Sequence, residues 1–232
     1  MTKLQTMMRT CQILMATVAS ITASLWIFLA LTREGILCMH ARTPEAIDAA
    51  MLRDYFIPDI LDFNSPNDSI WIRYGKREVN FGLGLFSPDE VKDMPTYFNY
   101  PCSKDVYYTM TFTGLDMPTR KHHDEREYRH WHIVNIPENQ INQGDTLAEY
   151  IGPMYTNEDG LHRFIFFIFA QPNKTKMHFD EKKLTKTVHG KERVNFHTME
   201  FAEKYGLGEP LCVNYFLMDR MAPTEPPTPP MI

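Results

Sequence analysis

Three ionisable side chains stand at the ends of strand-like segments, where they could meet in one pocket. Asp116 follows one such segment, His130 begins the next, and His162 begins a third. Protonated imidazoles donate charge-assisted hydrogen bonds to anions, and a nearby carboxylate orients an imidazole and favours its protonated form. Gly160, just before His162, can bring a backbone N–H close to a ligand. The pattern predicts a binding site for a phosphate-bearing group.

A metal site is the alternative chemistry for the same histidines. His130 and His132 lie two positions apart on a predicted strand, so their side chains should share one face. Together with His162 they could give a zinc-dependent enzyme three ligands and an open position. Histidine pairs at this spacing are common, and no nucleophile-elbow motif is present. We therefore predict a binding protein that is not an enzyme and needs no cofactor or metal.

The elements that must position these residues are mostly strands. Five segments are rich in aromatic and β-branched residues, and two of them are nearly unbroken apolar runs, as expected for strands covered on both faces. The segments are residues 69–74, 106–113, 131–136, 164–169 and 211–218, of which the third and fourth are the apolar runs.

Helices are fewer and shorter. One should begin after the capping residue Thr43 and continue to Pro58, with Tyr55 on its buried face. Residues 87–90 form a capping box that should start only a short turn, and residues 194–207 return to helical spacing. These elements predict a mainly β domain, an antiparallel sheet or sandwich with a few short flanking helices.

The order and spacing of the motifs resemble the phosphatidylethanolamine-binding protein family. In that family a segment Asp-Pro-Asp-x-Pro-Ser/Thr-Arg is followed by Arg-Glu, an aromatic residue and a pocket histidine. A Gly-x-His-Arg segment comes later in the chain. Asp116 and Pro118 match the end of the first segment, and His130 and His162 match the two pocket histidines.

The resemblance covers residues 45–218 and implies that family's fold and a non-enzymatic function. The implied ligand is a phospholipid headgroup like phosphatidylethanolamine, or a small phosphate-bearing anion. A protein partner is also implied, since family members modulate signalling or proteases. An assembly role with a vestigial pocket, as in a mitochondrial ribosomal component, is the remaining alternative. The implied ligand-binding residues are Asp116, Pro118, His130, Gly152, Gly160 and His162.

Two departures from the family pattern fall within the implied pocket. Gly114 stands where the family has its first acid, and Phe164 stands where many relatives have a tyrosine. The site thus has one carboxylate and one hydroxyl fewer. Restoring an acid at position 114 should favour amine-bearing headgroups.

The N-terminus differs in kind from the rest of the chain. Residues 13–32 carry no charge and follow Lys3 and Arg9, which is typical of a signal peptide or of a helical signal anchor that would tie the protein to a membrane. The predicted organisation is a signal segment (1–32), a linker (33–44), the binding domain (45–218) and a proline-rich flexible tail (219–232). The domain would be secreted, or extracellular or lumenal on a single-pass anchor.

Charge and cysteine content agree with that organisation. The net charge of −5 lacks the basic surface that nucleic-acid binding needs, so no nucleic-acid partner is expected. Cys38, Cys102 and Cys212 allow one disulfide in the exported part, with the pairing open. Asn67 and Asn173 lie in glycosylation acceptor tripeptides, which matter only in an exported protein.

The N-terminal segment should direct export. Expressed in secretory cells, the protein should gain endoglycosidase-sensitive mass at Asn67 or Asn173, or appear in the medium or at the cell surface. Purely cytosolic or mitochondrial protein with neither asparagine modified would contradict this prediction.

Overall fold

The computed structural model of the protein describes residues 42–62, 64–154 and 160–219. The predicted signal segment, nearly all of the linker and the proline-rich tail beyond residue 219 lie outside these ranges. Within them, no helix combines the length and apolar character that a membrane span requires.

The architecture is two β-sheets packed face to face, with most of the helices on the outer face of the larger sheet. The strands of the described ranges are β1 (Asp68–Ser69), β2 (Trp71–Tyr74), β3 (Arg77–Glu78), β4 (Leu85–Phe86), β5 (Tyr97–Asn99), β6 (Tyr107–Gly114), β7 (Tyr128–Pro137), β8 (Asp145–Ala148), β9 (Leu161–Ala170) and β10 (Cys212–Asp219).

The larger sheet has the order β1-β10-β9-β6-β7-β8, and β4 also pairs with β10. The smaller sheet has the order β3-β2-β5. The mainly β fold is confirmed, but the larger sheet is mixed, because β1 and β4 run parallel to β10. β1 and β4 pair with opposite ends of β10 along its outer edge. They therefore hydrogen-bond backbone groups that an open edge would leave exposed.

The two faces of the larger sheet bury separate cores. β9 contributes alternate residues to each, so Phe166 packs between the sheets while Phe167 packs under the helices. Because both faces of β9 are buried, its residues 164–169 form an unbroken apolar run in the sequence.

The helices are short, as predicted. The capping box at Ser87 and Glu90 is present, and the Thr43 side chain accepts from the backbone N–H of Ala46 at the start of the first helix. The helices are α1 (Pro44–Arg53), α2 (Phe56–Asp59), α3 (Pro88–Val91) and α4 (Thr198–Lys204), with 3₁₀ turns at Ile141–Gln143, Pro172–Lys174 and Gly190–Glu192.

The helix predicted to run to Pro58 ends instead at Arg53. Tyr55 adopts the left-handed conformation (φ 60°) and is 60% exposed, so its predicted place on the buried face is wrong. The break turns the backbone carbonyl groups of Asp54 and Tyr55 toward Arg163, which donates to them over 3.2 and 2.6 Å. Arg163, which is distant in the sequence, thus stabilises the end of the helix by donating these two hydrogen bonds.

The helix predicted within residues 194–207 begins only at Thr198. There the backbone N–H and the hydroxyl of Thr198 donate to the buried carboxylate of Glu127 over 2.7 and 2.6 Å. Thr113 donates to the same carboxylate, which joins α4 to strand β6. Burial raises the pKa of Glu127.

Cys102 and Cys212 are free thiols, the first exposed and the second buried. They therefore do not pair with one another, and Cys38 lies outside the described residues.

A bulge in β7 decides which histidines share a face. Phe112 pairs with Trp131, and its neighbour Thr113 pairs with Arg129, so His130 has no partner residue on β6. An inserted residue of this kind shifts the alternation of side chains by one position.

The bulge separates the two histidines that were predicted to share a face. His130 packs against Phe112 between the sheets, whereas His132 packs against Phe201 under the helices. The alternative of a zinc site formed by His130, His132 and His162 is therefore not supported by the structure. Across the described ranges, no group of three or more His, Cys, Asp or Glu side chains could hold a metal ion.

His132 should make the fold sensitive to acid. It is fully buried, neither ring nitrogen has a hydrogen-bond partner among the described residues, and burial and then the charge of Arg129 keep its pKa well below 6.5. Below pH 6.5, His132 binds a proton in the unfolded chain but not in the folded protein. The free energy of unfolding therefore falls by about 1.4 kcal/mol per pH unit.

The His132→Leu variant should lose this share of the acid sensitivity. Urea unfolding at pH 7.5 and 5.5 should show a smaller drop for the variant than for the unmodified protein. Equal drops would show that His132 does not contribute.

Candidate functional site

A buried ion pair lies beneath the predicted site. The carboxylate of Asp116 accepts from Arg163 Nη2 at 2.7 Å, from its Nε at 2.9 Å and from its backbone N–H at 3.0 Å. Both side chains are fully buried. Burial alone lowers the pKa of Arg163, but the hydrogen bonds and charges of Asp116 and then Asp59 outweigh it and raise that pKa.

Asp116 does not orient a histidine through its carboxylate, as the sequence led us to expect. The carboxylate is directed to Arg163, while the backbone carbonyl of Asp116 is the hydrogen-bond partner of His162 Nδ1 at 2.8 Å. The acid therefore positions His162 through the main chain, and its negative charge is neutralised by arginine.

Both pocket histidines have a defined tautomer in their neutral form. His130 Nδ1 lies 2.8 Å from the carbonyl oxygen of Ile151, and His162 Nδ1 lies 2.8 Å from that of Asp116. Because a carbonyl oxygen only accepts, each Nδ1 carries the proton and each neutral Nε2 is an acceptor. His130 Nε2 is buried and has no hydrogen-bond partner among the described residues.

The environment of His130 keeps it neutral in the unliganded protein. Burial first, and the charge of Arg193 second, lower its pKa to about 4 against the effect of the hydrogen bond to Ile151. Arg193 is itself buried and donates to the carbonyl oxygens of Arg129 and His130 over 2.8 and 3.3 Å. Through these two hydrogen bonds Arg193 ties the loop that carries it to β7 at the bulge.

A small cavity opens between the two histidines, and we call it the histidine cavity. Its volume of about 130 Å³ is below the range of roughly 300–1,000 Å³ that suits drug-sized ligands, so it is sized for a small group. Its lining residues are Met117, Tyr128, His130, Ile151, Gly152, Met154, His162 and Phe164.

The structure brings half of the predicted ligand-binding residues into the wall of the histidine cavity and places the others around it. Between Asp116 and Pro118, Met117 takes the lining position, and Gly160 lines a separate crevice alongside. The residues in the cavity wall are His130, Gly152 and His162.

Gly152 has a packing reason to be glycine. A Cβ atom there would lie 2.6 Å from the carbonyl oxygen of Val91 and 2.6 Å from Lys92 Cα. The loop can therefore approach the end of α3 closely enough to shape the cavity only with glycine at this position.

The space left by Gly114 is occupied by a neighbouring ring. A Cβ atom on Gly114 would lie 3.0 Å from Phe164 Cε1 and 3.1 Å from His130 Nε2. An acid restored at position 114 would crowd both groups, so a gain in binding from that change alone is not expected. The Phe164 ring would have to shift to make room for it.

Two aromatic lining residues were not among the six predicted ligand-binding residues, although the resemblance had already placed Phe164 within the implied pocket. Tyr128 lies two positions before His130, with ring centroids 4.7 Å apart, and Phe164 lies two positions after His162. Strand alternation places each near its histidine and could have identified them. Arg163 is a charged residue directly before the apolar run 164–169, and this position was the sequence signal for the buried ion pair.

Comparison with known proteins assigns the chain to one family. A putative odorant-binding protein A5 of Drosophila melanogaster is 30% identical over 186 residues, 78% of this chain and 85% of that protein. The model of the phosphatidylethanolamine-binding protein family matches residues 77–216. The chain belongs to the phosphatidylethanolamine-binding protein family.

Two solved structures share the fold at low sequence identity. The phosphatidylethanolamine-binding protein from Plasmodium vivax is 20% identical, with a TM-score of 0.61 over 78% of this chain and 99% of that one. A carboxypeptidase Y inhibitor, solved in complex with its cognate proteinase, is 17% identical, with a TM-score of 0.63 over 76% of this chain and 96% of that one.

Removing one partner of the buried ion pair should strongly destabilise the domain. Arg163→Met would leave the Asp116 carboxylate buried without its main counter-charge, at a cost of about 3–5 kcal/mol in unfolding free energy. The double variant Asp116→Leu with Arg163→Met should be more stable than Arg163→Met alone. Urea unfolding measures both, and a double variant no more stable than the single one would contradict the electrostatic explanation.

Proposed function

We propose that this domain binds a phosphate-bearing headgroup or a small anion in the histidine cavity and does not turn it over. The observation that carries the proposal is the buried Nε2 of His130, which lacks a partner in the described structure beside a cavity of headgroup size. A buried polar atom without a partner costs free energy, so a ligand that bonds to it gains affinity. Family membership and the odorant-binding name of the fly relative support a ligand-binding role.

Binding an anion at His130 requires a proton. The neutral Nε2 accepts hydrogen bonds, and so does a phosphate oxygen, so the two make a hydrogen bond only when a proton lies between them. An anion in the cavity would supply the counter-charge that the site lacks and raise the pKa of His130 from about 4. Binding therefore takes up a proton, and affinity increases as the pH falls toward that value, by up to about tenfold per unit.

Calorimetric titration with phosphorylethanolamine between pH 5 and 8 should show this increase, and the ring signals of His130 and His162 should shift together in NMR spectra. His162→Ala should weaken binding about ten- to a hundredfold, because a charge-assisted hydrogen bond contributes about 1.5–3 kcal/mol.

His122→Ala is the matched control, since His122 is exposed and does not line the histidine cavity. Equal effects of the two alanine variants would show that the ligand binds elsewhere. If the affinity does not depend on pH and His130 is neutral in the complex, the ammonium group of the ligand, and not its phosphate, contacts His130 Nε2.

The proposal includes an extracellular or lumenal location and a protein partner. Asn67 and Asn173 are both exposed, as the glycosylation acceptors of an exported domain have to be. The carboxypeptidase Y inhibitor, solved in complex with a proteinase, supports the idea that a domain of this fold also contacts proteins.

A further inference from the structure

A second crevice lies directly beside the histidine cavity, and we call it the basic crevice. Its volume is about 310 Å³, and His162 forms part of both walls. The lining residues are Thr119, Arg120, Lys121, His122, Gly160, Leu161 and His162.

Among the described residues, the charged side chains that line the basic crevice are all positive. They are Arg120 and Lys121, the His122 imidazole adds a further ring donor, and no acidic side chain of the described ranges lines the crevice. The whole chain is acidic, with a net charge of −5, so this concentration of basic groups is local. Such a concavity attracts anions and strengthens hydrogen bonds to them.

The cationic groups differ in how they are held. The Arg120 guanidinium lies over the Tyr55 ring, 5.4 Å from its centroid, and donates to the carbonyl oxygen of Asp54 over 3.3 Å. Its position is therefore fixed from one side. Lys121 is exposed and makes no salt bridge within the described ranges, so its charge remains available to a ligand.

The turn that presents these groups is held by its own hydrogen bonds. The backbone N–H of Thr119 donates to the carbonyl oxygen of His122 over 2.9 Å, and the backbone N–H of His122 donates to the Thr119 hydroxyl over 3.0 Å. Across the crevice, Gly160 has φ 128°, and a Cβ there would meet no described atom within 4 Å. The basic wall of the crevice is thus preformed.

We propose that the basic crevice is the subsite for a second anionic group of the same ligand. It rests on the proposed function and specifies the ligand class as a headgroup that carries a phosphate monoester in addition to its phosphodiester. One ligand can reach both sites because His162 lies in both walls. The planar guanidinium of Arg120 suits a phosphate, which it can bind through two parallel hydrogen bonds.

The test compares soluble headgroups with one and two phosphates. Inositol 1,4-bisphosphate should bind the unmodified domain more tightly than inositol 1-phosphate in calorimetry. The double variant Lys121→Ala with His122→Ala should weaken binding of the bisphosphate about tenfold or more, and change binding of the monophosphate by less than about twofold. His162→Ala should weaken both.

Lys104→Ala is the matched control. Lys104 is exposed and precedes β6, whereas Gly114 at the other end of that strand adjoins the histidine cavity. This change removes one positive charge from the surface without touching the basic crevice. It should leave binding of both inositol phosphates unchanged at constant ionic strength.

The outcomes separate this inference from the function on which it rests. A bisphosphate that binds no more tightly than the monophosphate, or an equal loss of both in the double variant, overturns the subsite alone. Failure of inositol 1-phosphate and phosphorylethanolamine to bind the folded domain overturns the proposed function and the subsite together. A phosphothreonine peptide that binds more tightly than the bisphosphate would assign the crevice to protein recognition and also overturn the proposal.

Discussion

The buried pair of Asp116 and Arg163 is the constraint on which the site depends. Arg163 lies at the start of β9 and also donates to Asp59 over 2.8 Å, so one guanidinium connects the central sheet, the segment after β6 and the region between α1 and α2. Burying two charges is costly unless their hydrogen bonds are well satisfied, and here they are. The same pair fixes the carbonyl group that holds His162, so the binding geometry is a consequence of a structural ion pair.

The bulge in β7 gives two nearby histidines different surroundings. His130 reaches the histidine cavity, while His132 is enclosed by aromatic rings under the helices. Both are neutral because burial disfavours their charged form. Only His130 adjoins a cavity in which an anion could reverse that preference, so one inserted residue separates a binding group from a packing group.

Local patterns in the sequence were sufficient to predict strands β2, β6, β7, β9 and β10, the presence of short helices and the two pocket histidines, but not the short strands β3, β4, β5 and β8. Alternation of side chains, capping residues and apolar runs are properties of neighbouring residues, and the structure confirms the elements that they predict. The bulge at His130 was not predictable, because it depends on the register between β6 and β7. The end of α1 at Arg53 and the partner of the Asp116 carboxylate depend on Arg163, which is far away in the chain.

Gly114 and Phe164 occupy what is in effect one shared volume beside His130. A Cβ atom on residue 114 would lie 3.0 Å from the Phe164 ring, so a side chain there requires that ring to move. An acid and an aromatic ring occur together in the family pattern, so the placement of the ring decides whether both fit. The effect of a substitution at position 114 therefore depends on the residue at position 164, and a comparison of relatives that scores each position separately would miss this dependence.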